Sequence, residues 1–108
     1  MTEKVNFLPL GSIVVVSGGI KKYVIVARAL KVKINGKEQF FDYAACAYPE
    51  GMVGDRLMYF QHSDVSKVVF EGFSDDDEKM MCANIHKAME MLEIERADVR
   101  QLKQNMGN

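Results

Sequence analysis

The feature that most constrains this chain is the dipeptide Asn35-Gly36, set between two long apolar-rich runs, Lys21 to Ile34 and Lys37 to Tyr48. Both residues accept the positive φ of a type I′ turn, so Asn-Gly here predicts a two-residue β-hairpin. A two-residue turn also sets the register. Ile34 is placed opposite Lys37, Val32 opposite Gln39, Leu30 opposite Phe41, Arg28 opposite Tyr43 and Val26 opposite Ala45. One face of the ribbon then carries Val24, Val26, Leu30, Val32, Ile34, Phe41, Tyr43 and Ala45, interrupted only by Arg28. The other carries Lys31, Lys33, Glu38 and Asp42 and reads as solvated, with Lys33 across from Glu38. The first strand would run 14 residues unbroken, against a usual length of roughly 3–10. It is therefore expected to bend or bulge, as strands do in small barrels.

Around this hairpin the shorter elements follow from local patterning. Leu8-Pro9-Leu10-Gly11 reads as a turn, and Ser12 to Ser17 as a short strand with the apolar centre Ile13-Val14-Val15-Val16. Gly18-Gly19 predicts a tight hairpin onto Lys21, and Pro49-Glu50-Gly51 a second turn. Leu57 to Gln61 and Val65 to Phe73 read as the last two strands, separated by a turn at His62-Ser63-Asp64. Short connections make antiparallel neighbours the natural pairing.

At Ser74 the period changes. Ser74 reads as a helix N-cap, followed by Asp75, Asp76, Asp77 and Glu78, acids that suit the positive end of a helix dipole. Met81, Ile85, Ala88, Met89, Leu92, Val99 and Leu102 recur at steps of three and four, and Arg96, Arg100 and Lys103 fall late. A break near Ile94 to Asp98 is an alternative to one continuous helix. The expected fold is α+β: a small antiparallel five-stranded β-barrel or strongly curled sheet over residues 1–73, then one long C-terminal helix over residues 74–108. The two pack as a single structural domain. Gly18, Gly19, Asn35, Gly36, Pro49 and Gly51 are assigned to turns, and Arg28, Tyr43, Gly72 and Ser74 are read as structural.

Composition narrows the function classes. The net charge is −1, so no overall field draws the chain to nucleic acid or membrane. The charge is uneven, with nine Lys/Arg against six Asp/Glu in residues 1–70 and five against nine in residues 71–108. No apolar run approaches the roughly 20 residues of a membrane helix. The first residues, Met-Thr-Glu-Lys-Val-Asn, do not resemble a secretory leader. Cys46 and Cys82 form no disulfide framework and read as reduced small hydrophobes of a cytoplasmic protein.

No residue set for catalysis or metal binding emerges. His62 and His86 lack partners at ligand spacing, and no CxxC, HxxxH or HExxH occurs. Ser12, Ser17 and the cysteines lack a nucleophile elbow or a paired base. Gly18-Gly19 with Lys21-Lys22 could cradle a phosphate, but the glycines lead into a strand rather than a helix. The Asp75-Asp77 run lacks the spacing of a calcium loop and is better read as helix capping. Lys21, Lys22, Lys31, Lys33 and Lys37 beside Phe40, Phe41 and Tyr43 suggest a nucleic-acid-binding barrel as an alternative, one disfavoured by net charge. Arg28 breaks the apolar face. Either a bulge turns it outward or it pairs with a carboxylate, because isolated burial of charge costs several kcal/mol.

The C-terminal helix is the strongest candidate for function. Met80, Met81, Met89, Met91 and Met106 cluster on it, and methionine suits adaptable binding surfaces. About 30 helical residues span roughly 45 Å, while a 73-residue barrel is roughly 25–30 Å wide. Val99, Leu102 and Met106 would overhang, or a hinge near Asp98 would fold them back. Met89, Arg96, Val99, Leu102 and Met106 are the expected protein-binding residues, for a partner helix or for a second copy in a homodimer.

Four pieces occur together in order: Leu8-Pro9-Leu10-Gly11-Ser12-Ile13-Val14 with Gly18-Gly19 behind it, Asp42-Tyr43, Tyr48-Pro49-Glu50-Gly51, and Val69-Phe70-Glu71-Gly72-Phe73. They resemble a bacterial family known as domain of unknown function 4176, over about residues 8–80, with Gln61 standing where the family pattern has Asn. The resemblance implies an accessory protein encoded beside LXG toxins of the type VIIb secretion system in Gram-positive bacteria. Such a protein would be cytoplasmic, non-enzymatic and free of cofactors. It would act as a chaperone or targeting factor whose partner is the helical N-terminal domain of an LXG toxin or a small helical secretion partner. An immunity protein that neutralises a toxin's catalytic domain is the further alternative.

Overall fold

The structure, a computed structural model, describes residues 5–91. Its elements are β1 (Ile13–Val16), β2 (Lys22–Ile34), β3 (Lys37–Tyr48), β4 (Met58–Phe60), β5 (Val65–Phe70) and α1 (Asp76–Glu90), with a 3-10 turn at His62–Asp64. The strands form one antiparallel sheet in the order β4-β3-β2-β1-β5. The sheet is open, so of the two expected forms the closed barrel does not occur. β5 returns to pair with β1 rather than with β4, its neighbour in sequence.

The Asn35-Gly36 turn has φ of +52° and +81°, as a type I′ turn requires. The register follows it from Ile34↔Lys37 through Arg28↔Tyr43, and Lys33 lies across from Glu38. Beyond that the expected register fails. A bulge between Ile25 and Ala27 leaves Val26 unpaired and places Ile25, not Val26, opposite Ala45. Each residue before the bulge therefore points to the other face: Ile25 is 1% exposed and Val26 is 41% exposed. One bend closer to the tip, Ala29 holds a positive φ of +54°.

The second correction concerns β3. Every residue from Phe40 to Cys46 is buried, so this strand is covered on both faces. Asp42, expected on a solvated face, is 1% exposed. Alternation read from β3 alone fails because a strand buried on both sides has no solvent face to mark.

The core joins Phe7, Val14, Val16, Ile25, Phe41, Tyr43, Ala45 and Phe60 with Ile85 of α1. Tyr43 lies at its centre, edge-on to Phe7 at 5.9 Å and tilted against Phe60 at 5.6 Å. The connections are tight. Gly18 (φ +91°) turns the chain between β1 and β2, with Gly19 N–H donating to Val16 O. After the cis Tyr48–Pro49 bond, Gly51 (φ +79°) donates to Ala47 O at 2.7 Å. Gly72 serves a different need, since a Cβ there would lie 2.3 Å from Leu10 O. Its N–H donates to the buried Ser12 Oγ at 2.9 Å, pinning the end of β5 beside β1.

Candidate functional site: the docked helix and its open flank

α1 begins one residue later than expected. Asp75, not Ser74, is the N-cap: its extended backbone precedes the first turn and its carboxylate accepts the Glu78 N–H at 3.1 Å. Ser74 is exposed. The shift places Glu78 at the third helical position, where a capping box would turn it back to the N-cap. Arg28 takes it instead.

That pair is the main polar contact between sheet and helix. Arg28 Nη2 donates to Glu78 Oε1 at 2.9 Å, and Nη1 donates to Glu78 Oε2. The Arg28 side chain is only 4% exposed. Nη1 also reaches Leu8 O at 3.4 Å and Cys82 Sγ at 3.7 Å. The two-pronged hydrogen bond holds the guanidinium pKa above its ordinary value, and the same bond holds the Glu78 carboxyl below the usual range. Burial, together with the bond it donates to Glu78, pushes the Cys82 thiol up. Both cysteines are free thiols, and Cys82 is a protonated donor within this pair's surroundings. Of the two expected fates for Arg28, pairing is the one that occurs. The bulge falls two residues away and leaves Arg28 on the helix side.

The docking face of α1 is Glu78, Cys82, Ile85, His86 and Met89. His86 packs on Phe7 with ring centroids 5.6 Å apart and donates from Nε2 to Val5 O. Met81 and Ala88, which share the three-four spacing with Ile85, are exposed. The helix is turned so that its mixed polar–apolar stripe meets Arg28, because a bidentate ion pair at a buried guanidinium outweighs burial of one methionine. Met80, Met81 and Met91 are thereby left open to solvent, Met91 at 82%. Of the expected binding residues, Met89 is half-buried against the core. Arg96, Val99, Leu102 and Met106 lie outside the described residues, as does the rest of the expected helix over residues 92–108.

A second polar group, absent from the sequence-based expectations, lies at the β4 edge. The Gln61 side chain continues the β-ladder where β4 stops: its Oε1 accepts Asp42 N–H at 3.0 Å and its Nε2 donates to Phe40 O at 2.8 Å. Asp42 Oδ2 accepts His62 N–H at 2.7 Å, and Asp64 Oδ2 accepts Gln61 N–H at 2.9 Å. Tyr43 Oη accepts Leu8 N–H at 2.9 Å and lies 2.7 Å from His62 Nδ1. Which of the two groups donates across this contact depends on the His62 tautomer. Burial is the main reason the Tyr43 phenol is pushed up to about 12.

Among the described residues no group of three His, Cys, Asp or Glu side chains comes together to hold a metal, and no helix is long and apolar enough to cross a membrane. The model of the family described as Domain of unknown function (DUF4176) matches residues 7–81, more than two thirds of the chain. The chain belongs to this family. No curated protein and no solved structure matched. The DUF4176 span takes in all five strands, both members of the Arg28–Glu78 pair and the whole Gln61–Tyr43 group. It ends at Met81, on the first turns of the exposed helix flank.

Proposed function

We propose that this protein is a non-enzymatic binding factor that acts in the cytoplasm as a chaperone or targeting factor for an LXG toxin exported by a type VIIb secretion system. Its partner on this reading is the toxin's helical N-terminal domain or a small helical secretion partner. The observation that carries the binding role is the division of α1 into two flanks. One is committed to the sheet through Glu78, Cys82, Ile85 and Met89, and the other leaves Met80, Met81 and Met91 in solvent. Exposed methionines on a docked helix are suited to an apolar partner surface of variable shape. The toxin assignment draws on the resemblance of the family motifs. Against the nucleic-acid alternative, Phe40, Phe41 and Tyr43 are buried and offer no stacking platform.

Co-expression with the N-terminal helical domain of an LXG toxin, and separately with its C-terminal catalytic domain, tests this. Co-elution with the N-terminal domain in size-exclusion chromatography with light scattering is the expected result. Co-elution with the catalytic domain alone would make the protein an immunity factor. A turnover reaction abolished in a folded His62→Ala variant would end the non-enzymatic reading.

A further inference from the structure

α1 packs through Ile85 on the sheet face that carries Val14, Val16, Ile25 and Tyr43. The register sets out what lies on the opposite face of β5, β1 and β2. Ile13 pairs with Val24 on one side and Phe70 on the other, and Val15 pairs with Lys22 on one side and Lys67 on the other. Residues directly opposite in antiparallel strands point the same way. β1 alternates, with Val14 and Val16 buried on the α1 side, so these six side chains share the far face. β1 is the floor of a trough, Val24 and Phe70 are its sides at one end, and Lys22 and Lys67 are its sides at the other. Ile13, Val15 and Val24 stand outside the core cluster and are half-buried, and Phe70 is 58% exposed. A sheet face turned to water is ordinarily polar, and this one is apolar between two cations. Those cations are not neutralised. Lys21 pairs with Glu50, whereas among the described residues neither Lys22 nor Lys67 has a carboxylate partner, Lys22 lying over the Tyr48 ring.

We infer that this trough is the docking site for one amphipathic helix of another polypeptide, laid along β1 with its apolar stripe on Ile13, Val15, Val24 and Phe70 and carboxylates on both flanks at the Lys22–Lys67 end. Neighbouring strands lie about 4.8 Å apart, so the two lysines, one strand to either side of β1, are rooted about 10 Å apart. A helix with its side chains is about 10–12 Å across. The lysines therefore straddle a helix on β1 and meet both of its flanks. Charge complementarity selects this occupant. A second copy laid face to face sets the same patch against itself, and the trough holds only apolar residues and lysines. A lipid surface needs the apolar side chains to project furthest. Here the half-buried floor lies beneath two exposed lysines, where a helix ridge can reach it. The trough is across the sheet from the open flank of α1 and stands independently of the function proposed for that flank.

The test uses the full chain and two fluorescein-labelled, alanine-based peptides of about 18 residues, long enough to hold some helix in isolation. Both carry a leucine stripe at three-four spacing. One has Glu on both flanks at one end, and the other has Lys at the same positions. Fluorescence anisotropy should show the Glu peptide binding at least about tenfold tighter than the Lys peptide. Lys22→Glu combined with Lys67→Glu, both at exposed positions, should reverse that order with the circular dichroism spectrum unchanged. Val15→Asp should weaken the Glu peptide by about tenfold or more, and the double lysine variant carries the test if Val15→Asp loses its fold. Lys33→Glu, at the far end of β2, should leave both affinities at their wild-type values, which separates the trough from general charge attraction. Equal binding of the two peptides to the wild-type protein, or an unchanged preference in the double lysine variant, overturns the site. So does a dimer of the protein alone that Val15→Asp converts to monomer, which would make a second copy the occupant. Sedimentation with phosphatidylcholine–phosphatidylserine vesicles that the double lysine variant loses, without binding of either peptide, would assign the face to a membrane and overturn the site as well.

Discussion

At one edge of the sheet, β4 is three residues long and its last residue, Phe60, is fully buried. At the other, β5 is six residues long and only Val65 is even half-buried. Where β4 stops, the Gln61 amide takes over its hydrogen bonds to β3, and Asp42, Tyr43, His62 and Asp64 close a polar group around it. β5 instead has register shifts on both sides of the Val14–Val15 pairing and leaves Val68, Val69 and Phe70 in solvent. Both are answers to the same hazard, since a free strand edge is a template for pairing with another chain. One edge is completed by side-chain hydrogen bonds, and the other is bent by bulges out of a pairing geometry. The first relies on buried polar satisfaction and should be sensitive to single changes. The second relies on backbone shape and should be sensitive only where the backbone itself is touched.

The largest expected effect is at the completed edge. Gln61→Leu removes both partners of the ladder extension and leaves Asp42 N–H and Phe40 C=O without that amide. At up to about 1.5 kcal/mol net for each hydrogen bond lost, the loss should be about 3 kcal/mol in urea denaturation. A loss under about 1 kcal/mol would mean that the amide does not act as a strand substitute. On the bent edge, Gly72→Ala should come next, at about 2 kcal/mol, because its Cβ would sit 2.3 Å from the Leu10 carbonyl. A wild-type melting temperature for this variant would show that β5 shifts freely against β1.

The third effect is a pH dependence confined to the completed edge. Tyr43 keeps its proton in the folded protein up to about 12, mainly through burial. An unfolded tyrosine releases it near 10. The folded pKa is the raised one, so this stability is complete below about pH 10 and is lost as the pH rises toward 12. The loss should reach about 2 kcal/mol over that interval, and Tyr43→Phe should flatten the corresponding part of the stability curve. If Tyr43→Phe keeps the same alkaline slope, the titrating group lies elsewhere. The smallest effect belongs to the open edge. Phe70→Ser, at a 58% exposed residue, should change stability by no more than about 0.5 kcal/mol. It should lower concentration-dependent light scattering instead, and a large loss of stability would mean that β5 contributes to the core.

The hairpin was legible because its determinants are local. Asn35-Gly36 dictates a turn, a turn of two residues dictates a register, and Ile34↔Lys37 through Arg28↔Tyr43 follow. The change to a helix beyond β5 was legible for the same reason, since acids and three-four spacing act within a turn or two. The bulge at Val26 was not, because strand length predicts that a bend is needed but not at which residue. Burial of Asp42 was not either, because its partners, Gln61 and His62, lie about 20 residues away and become neighbours only when β4 pairs with β3.

Sequence alone thus determined the turn, the five strands, the helix and the requirement that Arg28 be either paired or turned outward, each a consequence of steric or solvation rules acting on near neighbours. Tertiary structure decided which carboxylate Arg28 would meet, and through it how α1 is rotated. A guanidinium that is 4% exposed must find its acid wherever the chain brings one. Glu78 arrives fifty residues later. Its position on the helix then dictates that Cys82, Ile85 and Met89 face the sheet and that Met81 and Ala88 face away. No local pattern contains that choice, because three-four spacing makes the two adjacent stripes of α1 equally helical. Only the location of Arg28 on the sheet distinguishes them.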